Sequence, residues 1–237
     1  MIHVRTSIER PPASVVKELS QFASATIHEA QGRRGALSST IKPIDNSMFV
    51  CGPATTVVCA PRDNLMLQVA VHYAQPGDVL VVSAGAYAEA GTFGDVLGNA
   101  CLAKGIAGVI TDSGVRDTNQ LRALGLPVFS GSVSIKGTVK ETVGPINHPI
   151  VFAGEIIYPG DLITGDADGV VVVRREEAAE VIVASRRRDE EEEELIRLYH
   201  EGRTTLELCK LVDVLKNKGL VVEDQDAASV ERLAPVL

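Results

Sequence analysis

The sequence predicts an α/β fold, a layered sandwich whose core is a partly parallel sheet covered by helices. Two observations carry this. Apolar runs alternate with helical spacings from residue 63 to residue 129, the rhythm of strand–helix–strand units. After Ser130 the texture changes to short β-like runs separated by turns, the pattern of a second, more antiparallel sheet.

In order along the chain, residues 12–25 carry Val15, Val16, Leu19, Phe22 and Ala23 on one helical face, and residues 25–35 read as a second short helix ended by glycine. Residues 48–60 read as strand, turn, strand. Residues 63–74 read as a helix with Asp63 as N-cap. The turn Pro76-Gly77-Asp78 feeds a strand at 79–83, and residues 85–94 read as loop. A helix follows at 95–104 with Gly105 as its C-terminal cap, then a buried strand at 107–111, a helix at 119–124 and a strand at 127–129. Further strand-like runs fall at 138–143, 150–152, 155–157, 162–165 and 170–173, with turns at Pro159-Gly160-Asp161 and Asp166-Ala167-Asp168-Gly169. From Glu176 the chain is helical and charged. After Gly202, Leu206, Leu208, Leu211, Val212 and Leu215 are spaced to pack on something, such as a neighbouring subunit.

The chain has 237 residues, 45% of them hydrophobic, enough for one large domain or for a domain with a helical appendage. Its net charge of −8 argues against a broad nucleic-acid surface, and the lack of Trp argues against base-stacking platforms. An acidic protein acting on anions must gather positive charge locally. Cys51, Cys59, Cys101 and Cys209 show no zinc spacing and read as inert thiols. The N-terminus lacks an apolar signal segment and no run is long enough to span a bilayer, so a cytoplasmic location is expected. No nucleotide-binding glycine pattern, nucleophile elbow or paired histidine is present. A lysine Schiff base is possible in principle, but Lys104 and Lys136 show no reason for a depressed pKa.

The chemistry concentrates in residues 91–117. Gly91-Thr92-Phe93-Gly94-Asp95 opens a helix whose first N–H groups, on Asp95, Val96 and Leu97, can meet an anion. Arg116-Asp117 follows a buried strand, at the strand end where ligands of α/β sheets bind. Each acid also has a plain use: Asp95 and Asp117 can cap helices, Asp112 reads as a turn or capping acid, and Arg116 can pair with either of the first two on the surface. Taken together, two carboxylates and an arginine suit a hard cation beside an anionic substrate.

Gly94-Asp95-Val96-Leu97 followed by Arg116-Asp117 resembles the class II pyruvate aldolases. The block is most similar to the 4-carboxy-4-hydroxy-2-oxoadipate / 4-hydroxy-4-methylglutarate aldolases within the regulator of ribonuclease E activity A superfamily, over roughly residues 20–175. The resemblance implies an α-β-β-α sandwich like that of phosphohistidine domains (residues 1–175) and a C-terminal helical extension (residues 176–237). It implies homotrimers or homohexamers with sites between subunits, and no nucleic-acid or membrane partner. By the same resemblance Asp117 ligates Mg²⁺ or Mn²⁺, Arg116 binds the pyruvyl oxygens of a 2-oxo acid and Asp95 holds a water on the metal. The backbone of Gly94 to Leu97 receives the substrate carboxylate. A glutamate from the next subunit completes the set: Glu192 by its distance from Asp117, with Glu191 and Glu193 close rivals in the run from Glu190 to Glu194. The implied reaction is metal-dependent cleavage to pyruvate, with oxaloacetate decarboxylation beside it, in the breakdown of aromatic compounds. Noncatalytic members that inhibit an endoribonuclease are the other reading, and they lack the tail.

Overall fold

A computed structural model describes residues 3–221. The chain begins with helices α1 (Ala13–Leu19) and α2 (Ser24–Ala30). Strands β1 (Lys42–Pro43) and β2 (Val50–Val58) precede helix α3 (Leu65–Tyr73) and strands β3 (Val79–Ser83) and β4 (Gly91–Phe93). Helix α4 (Asp95–Lys104), strand β5 (Gly108–Val115), helix α5 (Thr118–Leu124) and strand β6 (Val128–Val133) complete the strand–helix rhythm. The strands β7 (Ile150–Phe152), β8 (Glu155–Ile157), β9 (Leu162–Gly165) and β10 (Val170–Val173) lead into helices α6 (Ala178–His200), α7 (Thr205–Leu208) and α8 (Leu211–Asn217).

The described strands form one mixed eight-stranded sheet, in the order β1-β6-β5-β3-β2-β9-β10 with β4 paired on β5, and a separate β7–β8 hairpin. The central strands β2, β3, β5 and β6 are parallel, whereas β2, β9 and β10 pair antiparallel. The sheet curls until it nearly closes. The short stretch from Ala36, bridged to Val171 of β10, to Lys42, paired with Ser130 of β6, links the two ends of the strand order.

Period-2 alternation builds both sides of this wall. Val79 and Val81 of β3 and Val170 and Val172 of β10 point inward, packing with Ile110, Phe129 and Ile163. Leu80 and Val82 face outward to Leu67, Cys101 and Leu121 of α3, α4 and α5. On the antiparallel side Leu162, Val171 and Val173 meet Leu19, Ile27 and Ile182 of α1, α2 and α6.

Several sequence expectations need correction. Residues 48–60 hold one strand, not two with a turn between. At Gly52-Pro53 β2 changes partner, from β9 over Val50–Pro53 to β3 from Ala54 onward. A side chain at Gly52 would press on the carbonyl of Gly77, 2.4 Å from its Cβ. The single helix read over 12–25 breaks after Leu19. Ser24 restarts it by donating its N–H and hydroxyl to the Asp166 carboxylate, both at 2.7 Å. The 85–94 loop contains β4, and the strand at 107–111 continues to Val115 through an irregularity. Asp112 therefore lies within β5 rather than in a turn, and accepts the N–H groups of Ala84 and Ala86. Residues 138–143 form no strand; Val139 makes an isolated bridge to Asp63. Helix α3 starts at Leu65 with Asn64 in the cap position, so Asp63 is not its N-cap.

The N-terminal segment is tied down by an internal ion pair. Arg10 meets the fully buried Asp78 carboxylate with two bonds of 2.7 Å, and Thr55 Oγ1 and the Gln75 N–H also donate to it. Arg10→Ala leaves that carboxylate short of its charged partner. An expected loss of about 3 kcal/mol is read by denaturant unfolding. A loss below 0.5 kcal/mol, the size of ordinary surface changes, would show the pair to be dispensable.

The described chain divides into two units, one ending at Arg186 and one beginning at Arg187, with α6 running through the division. In the second unit α6 is laced by ion pairs Arg187–Glu191, Arg188–Glu192 and Arg197–Glu194. Thr204 and Glu207 form a capping box on α7, and α7 and α8 bury no residue. Among the thiols, burial pushes Cys59 and Cys101 up to about 12, as expected of inert cysteines, whereas Cys209 is exposed. No described helix is long and apolar enough to cross a membrane.

Candidate functional site

The parallel pairing of β4 with β5 sets Phe93 beside Val115. The residues that follow, Gly94-Asp95 on one strand and Arg116-Asp117 on the other, are thereby delivered side by side at the same end of the sheet. A backbone bond from Arg116 N–H to the Phe93 carbonyl, 2.9 Å, locks this register. Helix α4 begins at Asp95 and ends at Gly105, whose φ of 76° is the left-handed turn that favours glycine. No side chain caps the start of α4, so the N–H groups of Val96 and Leu97 stay available where both residues line a cleft of ≈ 230 Å³.

Asp117 occupies the N-cap position of α5 with φ 53° and makes no side-chain capping bond. Aspartate tolerates this left-handed conformation better than most residues. Its Oδ2 lies 3.5 Å from Arg116 Nε and 3.4 Å from the Asp95 N–H. Both partners of that ion pair are partly exposed, so the pair contributes little to stability and the groups stay accessible to a ligand. Gly94 permits the approach: a Cβ there would sit 2.5 Å from Asp117 Oδ2 and 3.1 Å from Arg116 Cγ.

Six of the seven residues read from the sequence therefore converge: Gly94, Asp95, Val96, Leu97, Arg116 and Asp117 all line the one cleft. Glu192, expected from a neighbouring subunit, lies on α6 in the second unit, paired with Arg188 at 2.8 Å.

The cleft also contains residues that the sequence analysis missed: Asn64, Gln68 and Lys140. Asn64 donates to the Thr92 carbonyl and accepts from Gln68. Lys140, rather than Lys104 or Lys136, is the cleft's lysine; Lys136 instead pairs with Glu89 at 2.5 Å. No spacing in the sequence marks Lys140, because its placement depends on Asp63. Burial acts to raise the Asp63 carboxyl, but N–H groups of Leu65, Glu141 and Thr142 outweigh it and hold the group below the usual carboxylate range.

The described residues gather no group of three or more His, Cys, Asp or Glu side chains around a metal position. The cleft offers instead the hard oxygens of Asp95 and Asp117, with the space that Gly94 leaves beside Asp117. That donor set fits a cation such as Mg²⁺, which keeps several waters and needs few protein ligands.

A sheet with helices on both outer faces, and a cleft at the ends of its parallel strands joining acids to a helix N-terminus, define an α/β protein with one polar cleft at the sheet's end. The chain belongs to the RraA-like family, described as Aldolase/RraA, whose model matches residues 23–172. It is 42% identical over 134 residues to a Halalkalibacterium halodurans protein named "Putative 4-hydroxy-4-methyl-2-oxoglutarate aldolase". That match covers 56% of this chain and 64% of the relative, so the chain spans less than two thirds of that protein's length. A Xanthomonas campestris pv. campestris protein of the same name is 34% identical over 122 residues, 51% of this chain and 72% of the relative. Among solved structures, Streptomyces coelicolor RraAS2, described as an unusual member of the RNase ES inhibitor RraA protein family, matches with a TM-score of 0.70 and 32% identity. The match covers 80% of this chain and all of that one. An uncharacterized protein from Pseudomonas syringae pv. tomato matches with a TM-score of 0.72 and 27% identity, over 83% of this chain and 97% of that one.

Proposed function

We propose that the protein is a divalent-cation-dependent aldolase. It cleaves 4-carboxy-4-hydroxy-2-oxoadipate to pyruvate and oxaloacetate, and 4-hydroxy-4-methyl-2-oxoglutarate to two pyruvates, with oxaloacetate decarboxylation as a side reaction. The observation that carries this is the β4–β5 register, which brings a helix N-terminus, two carboxylates and an arginine into one cleft.

Asp117 is the residue to hold Mg²⁺ or Mn²⁺, with Asp95 beside it. When bound, such a cation supplies an electron sink and makes nearby water more acidic. The N–H groups of Val96 and Leu97 receive the substrate carboxylate. Asp95 orients the water that accepts the proton of the 4-hydroxyl. As the C3–C4 bond breaks, its electron pair moves toward the C2 carbonyl, and the Arg116 guanidinium meets the charge that develops on that oxygen. Return of a proton to C3 gives pyruvate. Glu192 of a neighbouring subunit, in a homotrimer or homohexamer, also orients water. In this reading the α-β-β-α catalytic domain ends at residue 175, and the helical extension that begins at residue 176 packs on the neighbour; residues 222–237 of the expected extension lie outside the described residues. The setting is cytoplasmic, in the breakdown of aromatic compounds.

A coupled pyruvate assay with both substrates and oxaloacetate tests this reading. Turnover should vanish with EDTA and return with Mg²⁺ or Mn²⁺; no pyruvate from any of the three sinks it. Gly94→Ala should lower turnover by about 100-fold, the scale of an ångström's misplacement of a reacting group, with a normal thermal melt. Unchanged turnover would mean that Asp117 can move without consequence.

A second reading, a noncatalytic inhibitor of an endoribonuclease, is favoured by the Streptomyces coelicolor likeness. It predicts endoribonuclease inhibition by protein that releases no pyruvate at millimolar metal.

A further inference from the structure

We propose that Asp63 is a positioning residue for the cleft, fixing Lys140 and Asn64 in the lining they share with Arg116 and thereby setting the affinity for the substrate's far carboxylate; this rests on the aldolase reading. Asp63 is 1% exposed and lies outside the cleft lining, so it does not meet the ligand itself. Its Oδ1 accepts the Leu65 N–H at 2.8 Å, the first residue of α3. Its Oδ2 accepts the N–H groups of Glu141 and Thr142 at 2.8 and 2.7 Å. One carboxylate thus joins a helix start to a segment that has no strand pairing of its own.

The backbone reinforces the joint on both sides. Val139 N–H donates to the Arg62 carbonyl at 2.9 Å, and Asn64 N–H donates to the Val139 carbonyl at 3.1 Å. Lys140 lies between the residues so tied, Val139 and Glu141. Asn64, adjacent to Asp63, is held in turn by its bond to the Thr92 carbonyl, two residues before Gly94. Two walls of the cleft, the α3 start and the 139–142 segment, therefore meet at one buried anion, and the third, the β4 end, is tied to its neighbour Asn64. The proposed substrates carry a carboxylate at each end. Arg116 and the α4 N-terminus serve the 2-oxo acid end, and Lys140 is the cleft's remaining cation for the other. A flexible lysine on an irregular segment binds well only if the segment is already ordered, because ordering it on binding costs affinity.

The test uses the full chain with Mg²⁺, comparing wild type, Asp63→Asn, Lys140→Ala and the double variant. Each is measured for KM and kcat with 4-hydroxy-4-methyl-2-oxoglutarate. Calorimetry gives the Kd of 2-oxoglutarate, which has both carboxylates but no 4-hydroxyl and so cannot be cleaved. Asp63→Asn should raise KM and the 2-oxoglutarate Kd by roughly tenfold, the weight of ordering one long side chain and its segment, and leave kcat within about threefold. In the Lys140→Ala background it should add nothing further. Asp63→Glu, which keeps the charge but shifts it by one methylene, should fall between, and it carries the same comparison if the asparagine variant does not fold. Losses that multiply in the double variant, or a lower kcat and melting temperature with normal 2-oxoglutarate binding, would overturn the proposal. Wild type that binds 2-oxoglutarate but releases no pyruvate would sink the aldolase reading alone, since the Kd comparison still decides the role of Asp63. Wild type that does neither would sink both.

Discussion

Asp117→Ala is expected to lower pyruvate release by at least about 1,000-fold, the upper range for removing one preorganised electrostatic group, and added Mg²⁺ should not restore it. Asp117 is the carboxylate beside the space that Gly94 leaves, and its only close cation among the described residues is the partly exposed Arg116. The folded state should lose only about 1 kcal/mol, the cost of alanine in the left-handed conformation at φ 53°, because Asp117 makes no side-chain cap to α5 and the ion pair it loses is solvent-screened. A melt lowered only to that extent, with lost turnover, would therefore separate chemistry from stability. Near wild-type turnover would show that the cation is held elsewhere or not needed.

Replacing Arg116 should be nearly as costly. Arg116→Ala is expected to reduce kcat by roughly 100- to 1,000-fold, as loss of a donor aimed at developing negative charge does. Arg116→Lys keeps the charge but not the planar fork that can meet two oxygens at once, and should recover only part of the rate. The informative comparison is kcat against KM. If Arg116→Ala raises KM and leaves kcat intact, the arginine binds ground state and transition state equally, and its assigned role at the C2 oxygen is wrong.

The site was legible in the sequence wherever local signals and tertiary structure agree. Helix α4 lies where residues 95–104 place it, because an acid at its first position and a left-handed glycine after its last mark both ends. Arg116-Asp117 was legible because it follows an apolar run, although that strand extends four residues beyond the 107–111 reading. The misreadings share a cause. Gly52-Pro53 has the composition of a turn, yet the chain stays extended there because β9 and β3 take over from each other along β2. Residues 138–143 have a strand's composition, yet the N–H groups of Glu141 and Thr142 go to the Asp63 carboxylate and that of Val139 to the Arg62 carbonyl, far back in the sequence. Lys140 was invisible for the same reason. Glu192 stays open because five consecutive glutamates on one helix offer no local difference for choosing among them.

The change of partner along β2 also orders the events of folding. Residues 54–58 of β2 can pair as soon as β3, the next strand, has been made, whereas residues 50–53 wait for β9. Until residue 165 has emerged from the ribosome, half of a buried strand is an open edge, able to pair with another nascent chain. Pro53 lies in that waiting half and has no N–H to offer. The residue that looks out of place in the finished sheet is thus a guard on the unfinished one.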